Sequence, residues 1–345
     1  MAGKTYRVAI IGTGGIARSH ARSWVATGRA ELVAAVDIKD AAAQAFGDEY
    51  DIPERYTDHA TMLAAERPDI VSVCTWHGTH PSLTVASAEA GVAGILCEKP
   101  MAVNLADADA MVDACRRSGT KLAIGHHHRF NARNTEARRQ IAAGVIGLPH
   151  MLRLTVGGGL TNNGTHAIDG GRYVLGDPAA EWVIGQVERR TDRYERMEPI
   201  EDLCMGLVAF EGGARLVVES DMPDGGLNAA AARLGSMHVY GTEGTLIVGD
   251  GVSVLSARGA STDVDVPGDT NQYDELLAWL DGGDPHRNEG GNARATVELM
   301  MAIYESARSR GLVRLPMDPG PSPLVAMIDD GSLAVEKPGR YDIRL

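Results

Sequence analysis

The chain has 345 residues, 44% of them hydrophobic and 23% charged, an ordinary balance for a soluble globular protein and length enough for two domains with substantial cores. With 33 basic against 46 acidic residues the net charge is −13, and only 5% of residues are aromatic, which argues against a broad nucleic-acid or anionic-membrane footprint and against base-stacking platforms. No apolar run approaches the roughly 20 residues of a membrane span, the opening MAGKTYR lacks a signal-peptide cleavage pattern, and a cytoplasmic location is the default expectation.

In chain order, Tyr6–Ile11, Leu32–Val36, Ile70–Thr75, Ile95–Cys97 and Leu122–Ile124 read as strands, with helices at Ile16–Ala26, Ala41–Tyr50, Pro81–Ala90 and Leu105–Arg117 between them. The runs RVAII and DIVSVC are apolar almost throughout, as strands covered on both faces require. Strands alternating with helices imply βαβ units with right-handed crossovers, so residues 1–125 are expected to form an α/β, doubly wound domain. From about residue 150 strand-like runs follow one another: His150–Val156, Trp182–Arg190, Leu203–Phe210, Ala214–Ser220, Ser236–Tyr240 and Thr245–Val248. EGGARL and YGTEGTL read as turns between antiparallel neighbours. Helices return at Asn271–Leu280 and Asn292–Arg310, so residues 126–345 are expected to be an α+β domain on an open, largely antiparallel sheet. The tail from Met317, with four prolines, reads as an extended surface arm. The four cysteines, Cys74, Cys97, Cys115 and Cys204, show no C-x-x-C spacing and read as buried thiols.

The segment VAIIGTGGIARSH contains Gly12-x-Gly14-x-x-Ala17 between a strand and a helix. Gly12 permits the tight turn, Gly14 lets backbone approach a pyrophosphate, and Ala17 lets helix and strand pack closely. The helix start then offers unpaired N–H groups and a positive dipole end to the phosphates. The cofactor contacts expected in this turn are Gly12, Thr13, Gly14, Gly15 and Ile16. Asp37 ends the second strand, 20 residues after Ala17, where a carboxylate takes the adenosine ribose hydroxyls. A carboxylate there repels a 2′-phosphate, so NAD is favoured over NADP, with Lys39 as a nearby counter-charge that weakens the preference.

The tripeptide Glu-Lys-Pro occurs twice, at residues 98–100 and 336–338. Lys99 follows the strand ILC, and ligands in open α/β sheets bind outside the carboxyl ends of the strands. Lys337 lies in the tail and reads as a solvated surface lysine. Beside an oxidised nicotinamide, Lys99 would be a proton acceptor with a lowered pKa or, held protonated, a stabiliser of a developing alkoxide. Pro100 invites a cis Lys99–Pro100 bond. In the second half, GGGLTNNGTHAIDGGRYVLGDP places Asn162, His166 and Asp169 near a helix start. His166 is suited to proton transfer near neutral pH or else packs locally, and Asn162, four residues before it, shares its side of a helical turn. Three consecutive histidines, His126–His128, precede Arg129. On a strand end their side chains would alternate in direction and make a poor chelating set, so no metal is expected.

The glycine turn, the EKP after a strand and the G-x-H-x-x-D segment, in this order and at these separations, make the chain resemble the Gfo/Idh/MocA oxidoreductases along nearly its whole length. The resemblance implies a Rossmann domain followed by an α+β domain whose open sheet serves as the interface of a homodimer or homotetramer. It implies Lys99 and His166 as catalytic residues, with Asn162 where the family often has aspartate. Asparagine can orient a hydroxyl but cannot accept a proton. In CTWHGTH, Thr75 and His80 match the family's Thr-Pro-Asn-x-x-His, whereas Trp76 and His77 replace Pro-Asn. Thr75, His77, His80, Glu98 and Lys99 are therefore expected beside the cofactor, and the resemblance places His126–Arg129 along the cleft, with Arg129 toward substrate or cofactor and Asp169 toward substrate. The implied activity is hydride transfer between NAD and a secondary alcohol of a sugar, glycoside or cyclitol. Alternatives are a lyase or hydrolase that oxidises its substrate transiently on tightly bound NAD, or a non-catalytic dinucleotide sensor.

Overall fold

Six short strands, all parallel, organise the start of the chain in the computed structural model, which describes residues 4–221, 237–268 and 270–343. By its contacts the chain divides into two compact units. The first is Met1–Val103, Asp107–Gly125 and Asn271–Arg294; the second is Asn104–Ala106, His126–Thr270 and Ala295–Leu345.

In the first unit β1 (Tyr6–Ile11), α1 (Gly15–Ala26), β2 (Ala30–Val36), α2 (Asp40–Glu49), β3 (Glu54–Tyr56), α3 (His59–Glu66), β4 (Ile70–Val73), α4 (His80–Glu89), β5 (Gly94–Cys97), α5 (Leu105–Ser118) and β6 (Lys121–Ile124) alternate. The strand order is β3-β2-β1-β4-β5-β6. The chain moves outward one way from β1 and the other way from β4, which makes the β1/β4 boundary the topological switch point where a ligand crevice opens. β4 and β5 are buried at every position, as a sheet covered on both faces demands. α1 presents Ala17, Ala21 and Trp24 to the sheet, spaced four and three apart on one helical face.

Residues 271–294, expected in the second domain, belong to the first unit. The helix Gln272–Leu280, capped by Asn271, buries Tyr273, Leu276 and Leu277 in the core around Trp24. The Tyr273 ring meets Trp24 edge-on at 4.9 Å, and Leu280 closes over Gly94. The amphipathic pattern that marks this helix does not say which sheet it covers, so a single cut after residue 125 is incomplete. β3 and α3 leave little trace in the sequence: the strand is three residues long, and α3 is announced only by Asp58, whose side chain accepts the Thr61 N–H.

The second unit carries α6 (Ala132–Ala142), β7 (Pro149–Val156), α7 (Thr165–Val174), β8 (Ala180–Glu188), β9 (Thr191–Glu195), β10 (Glu198–Pro199), β11 (Leu203–Phe210), β12 (Arg215–Ser220), β13 (Met237–Gly241), β14 (Gly244–Val248), β15 (Val252–Ser256), β16 (Ser261–Val264), β17 (Val313–Arg314) and β18 (Lys337–Asp342). Ser236, at the head of the expected strand Ser236–Tyr240, lies outside the described residues. A nine-stranded sheet runs β16-β15-β14-β13-β7-β12-β11-β8-β17 and is antiparallel except for the β7/β12 pair. EGGARL and YGTEGTL make the expected turns of the β11/β12 and β13/β14 pairs. α7 crosses one face, where Gly171 lets it settle on Leu152 and Leu154, and Ile303 of the helix Gly290–Ser309 packs over Gly185 and Gly206. The opposite face carries Ile184, Met205, Tyr240 and Leu255, 46, 41, 37 and 37% exposed.

The tail is not simply an extended arm. Pro323 occupies the first turn of a helix, Pro323–Asp329, that buries Leu324 and Met327, and β18 then pairs in parallel with β9. Proline is compatible with a helix start because its missing N–H has no partner there anyway, so proline content alone misleads at this position. Lys337 is exposed on β18, as a surface lysine should be.

At Gly185 an added Cβ would stand 2.7 Å from the Ile303 carbonyl oxygen and 2.9 Å from its Cα, both backbone. Gly185→Ala is therefore expected to lower unfolding free energy by about 1–3 kcal/mol in urea titrations. Gly206→Ala, which meets chiefly the flexible end of the Ile303 side chain, is expected to cost less. Equal losses would mean that Gly185 does not set the helix-to-sheet spacing.

Candidate active site

At the switch point of the first unit, Gly12 has φ +86°, and a Cβ there would stand 2.8 Å from Thr75 Cγ2 and 2.9 Å from the backbone carbonyl carbon of Cys74. Only glycine satisfies both the dihedral and the contact. α1 begins at Gly15 with Gly14 as a cap that supplies no side-chain acceptor, and its first turn holds no acidic residue. Around Gly14 and Gly15 a Cβ would meet nothing within 4 Å. The first N–H groups of α1 thus face open space with the positive end of the helix dipole behind them, an anion cradle. Ile16 is exposed beside it.

Asp37 lies just past the end of β2 and takes part in building the turn. Its Oδ2 accepts the Thr13 N–H at 3.0 Å and the Thr13 hydroxyl at 2.9 Å, while Oδ1 accepts the Lys39 N–H at 3.0 Å. A carboxylate offers about four acceptor directions, so capacity remains for ribose hydroxyls. Uncapped helix start, unobstructed turn and carboxylate together fit a dinucleotide.

The remaining expected contacts of this unit follow β4 and β5. The His80 ring is buried and lies between two carbonyl oxygens, Pro100 O at 2.8 Å from Nδ1 and Thr75 O at 3.0 Å from Nε2. It staples the loop after β4 to the segment after β5. His77 is buried too, whereas Trp76 is 45% exposed. The Lys99–Pro100 bond is cis, and Lys99 is partly exposed at the end of β5. The Glu98 carboxyl is buried, with Oε1 2.9 Å from His20 Nε2 and Oε2 accepting the Lys99 N–H at 3.3 Å. Burial pushes this carboxyl up, but the hydrogen bond from His20 and the neighbourhood of His20, Lys99 and His80 together hold it below the ordinary glutamate range.

The second unit holds the other expected residues. Gly158 and Gly159 have φ +93° and +85°, and their N–H groups donate to the Asp221 carboxylate at 2.7 and 2.6 Å. The Leu160 N–H donates to Glu201 Oε1 at 2.6 Å, and Glu201 Oε2 accepts the Tyr304 hydroxyl at 2.7 Å. These bonds fix a single π-helical turn, Leu160–Gly164, that leads into α7. Asn162 sits in that turn, its Nδ2 donating to Gly158 O at 3.1 Å. His166 lies in the first turn of α7, nearly buried.

Residues 127–130 form a 3-10 turn rather than a strand end, and this overturns the expectation that the three histidines diverge. All of them gather round His166: the His128 ring stacks on it at 4.5 Å, His127 meets it edge-on at 4.8 Å and His126 at 5.7 Å. The rings meet through faces and edges, and among the described residues no group of three His, Cys, Asp or Glu side chains is arranged to hold a metal ion.

Arg129 and Asp169, expected toward substrate, have no exposed surface and are paired with each other. Arg129 Nε and Nη2 donate to the two Asp169 oxygens at 2.7 and 2.9 Å, and the guanidinium also meets Asp177 at 2.9 Å. Thr296 adds a hydroxyl to Asp169 at 3.2 Å. Burial pushes the Asp169 carboxyl up; His126 and the Arg129 charge and hydrogen bonds, with Arg172, bring it below the ordinary range. Three residues after His166 on one helical side, Asp169 ties α7 to the 127–130 turn. No sequence motif marks His20 in the first unit or Asp177, Glu201 and Asp221 in the second, and each holds an expected residue or its loop from far along the chain.

Asp169→Asn leaves a buried guanidinium short of its counter-charge and is expected to cost about 3–5 kcal/mol in urea unfolding at neutral pH. Because the folded carboxyl titrates low, its stabilisation is full above the ordinary aspartate range and fades as pH falls through its folded value. The variant should therefore lose less further stability than the parent below about pH 4. Parallel acid profiles would show that Asp169 carries no such linkage.

A family profile described as an oxidoreductase family with an NAD-binding Rossmann fold matches residues 6–126, and one for the C-terminal alpha/beta domain of the same family matches residues 151–315. The chain is 28% identical to a D-apiose dehydrogenase of Paraburkholderia graminis, over 96% of this chain and 95% of that protein. It is 32% identical to the D-glucoside 3-dehydrogenase of Escherichia coli, over 64% of this chain and 71% of that one. Among solved structures, the WlbA dehydrogenase of Bordetella pertussis in complex with NADH and UDP-GlcNAcA superposes with a TM-score of 0.76 at 24% identity, covering 91% of this chain and all of that one, a likeness of fold. A coenzyme turn at the switch point, a lysine at the end of β5 and profile matches across both halves lead to one conclusion: the chain belongs to the Gfo/Idh/MocA family of oxidoreductases.

Proposed function

We propose that the protein is an NAD-dependent dehydrogenase acting on a secondary alcohol of a sugar, glycoside or cyclitol. One observation carries the reading: the uncapped start of α1, Asp37 and Lys99 all leave the same carboxyl-end edge of one parallel sheet. The names of the relatives, an apiose and a glucoside dehydrogenase, support the substrate class. Asp37 favours NAD, since a second anion at the adenosine ribose would meet its carboxylate.

The Gly12–Ile16 turn and Asp37 would hold the dinucleotide. When bound, its nicotinamide supplies the hydride acceptor. His166 takes the hydroxyl proton as the carbinol carbon gives up its hydride, and Lys99 lends positive charge to the oxygen as alkoxide character develops. Asn162, an amide where a carboxylate would add a second proton acceptor, orients the hydroxyl. His80, stapled between two carbonyls, shapes the loop rather than the chemistry. The exposed apolar positions Ile184, Met205, Tyr240 and Leu255 share the sheet face opposite α7, and support assembly of a homodimer or homotetramer through that face.

Absorbance of reduced nicotinamide over a panel of sugars, glycosides and inositols is expected to reveal turnover with NAD. Product formation without net reduction of NAD would move the protein to the class that oxidises its substrate transiently. Tight NAD binding with no turnover at all would favour a sensor. Lys99→Met is expected to lower turnover about 100-fold or more with NAD affinity nearly unchanged; an unaltered rate would remove Lys99 from the mechanism. Met205→Glu is expected to shift the sedimenting species toward monomer, and an unchanged oligomer would place the interface elsewhere.

A further inference from the structure

We propose that Glu98 and His20 are a positioning pair for Lys99: a buried carboxylate, aimed by a one-way chain of hydrogen bonds from Trp24, that keeps the lysine amine in its ammonium form at the end of β5. The proposal rests on Lys99 being the reactive lysine.

The direction of the chain follows from donor and acceptor counting. The Trp24 indole can only donate, and its Nε1–H reaches Ser72 Oγ at 2.7 Å. Ser72 is fully buried, and its hydroxyl oxygen contacts that indole and His20 Nδ1, the latter at 3.1 Å. With the indole hydrogen already pointed at Oγ, the hydroxyl proton goes to His20 Nδ1. An accepting Nδ1 places the ring hydrogen on Nε2, 2.9 Å from Glu98 Oε1. Glu98 Oε2 then takes the backbone N–H of Lys99 at 3.3 Å, which fixes the main chain from which the amine extends. Every polar atom in the row is satisfied in this one arrangement.

The slot is built for the carboxylate. Gly125, just past β6, would bring a Cβ to 2.9 Å from Glu98 Oε1, so nothing larger lines that side. The groups facing Glu98 are His20 from α1, His80 from α4, Lys99 beside it, the Cys74 and Cys97 thiols after β4 and in β5, and Tyr273 from the helix Gln272–Leu280. Of these, only the two histidines and the lysine can carry positive charge. A buried carboxylate without an opposite charge is costly, and the same attraction that keeps Glu98 ionised keeps the neighbouring amine protonated. Because α1 also carries the coenzyme turn, one row of hydrogen bonds runs from the coenzyme helix to the backbone of the lysine at the end of β5. A pair that only stapled α1 to β5 would leave the reactivity of the amine indifferent to the charge on Glu98.

The test uses the full chain and no substrate. Amines are labelled with acetic anhydride across a pH series, and the rate at Lys99 is read by peptide mass spectrometry against exposed Lys337. In Glu98→Gln, close in shape but uncharged, the Lys99 labelling midpoint is expected to fall by about one pH unit, with Lys337 unmoved. Glu98→Asp is expected to restore most of the shift. Identical midpoints in the parent and Glu98→Gln would overturn the proposal. Should Glu98→Gln fail to fold, nitrogen-15 NMR of the parent at pH 8 decides: His20 hydrogen-bearing at Nε2 with a bare Nδ1 supports the chain, and a hydrogen on Nδ1 overturns it. No readout involves turnover, so failure of the dehydrogenase reading registers separately.

Discussion

The turn after β1 lies directly against the end of β4, and no side chain fits between them. Gly12 meets that constraint with a positive φ and no Cβ. The whole coenzyme edge of the first unit depends on this close approach. Because of it the turn can start α1 without a side-chain cap, Thr13 can reach across to Asp37, and the unpartnered N–H groups of the helix come to lie at the switch point of the sheet. A bulkier residue would push the turn off β4 and take the anion cradle with it.

Each unit backs its candidate reactive residue with a buried carboxylate. Behind Lys99 stands Glu98 with His20; three residues beyond His166 stands Asp169 with Arg129. Buried ion pairs are poor sources of net stability, because desolvation offsets most of the attraction. Their use here is geometric. Each oxygen has a directed donor, so the carboxylate cannot rotate without losing a bond, and the backbone that carries it is held in turn. The Asp221 and Glu201 carboxylates do the same for the glycine loop before His166, and they let Gly158 and Gly159 keep a conformation that glycine tolerates at no steric cost.

The two departures from the family motifs fall in unlike surroundings. Trp76 points to the surface while His77 beside it is buried, so the exchange of Pro-Asn for Trp-His alters one exposed position and one packed one. Asn162 sits in a π-helical turn whose extra residue changes the relation of positions four apart, so its alignment with His166 is set by that turn rather than by ordinary helical spacing.

Residue order alone specifies the parallel sheet, the glycine turn at its switch point, the place of Lys99 at a strand end, and the antiparallel order of β11 with β12 and β13 with β14. Each of these is written in neighbouring residues: apolar runs, glycines at fixed offsets, a motif at a strand end. Tertiary structure decided the rest. It assigned the helix Gln272–Leu280 to the first unit, gave the proline-rich tail a helix and a strand, drew three consecutive histidines round His166, and withdrew Arg129 and Asp169 into a buried pair. Those outcomes turn on partners far along the chain, such as Asp169, 40 residues beyond Arg129, or Trp24, in the core that Tyr273 joins. Local periodicity reports which face of an element is apolar, not what will cover it. A charged side chain looks the same in sequence whether it meets solvent or its counter-ion.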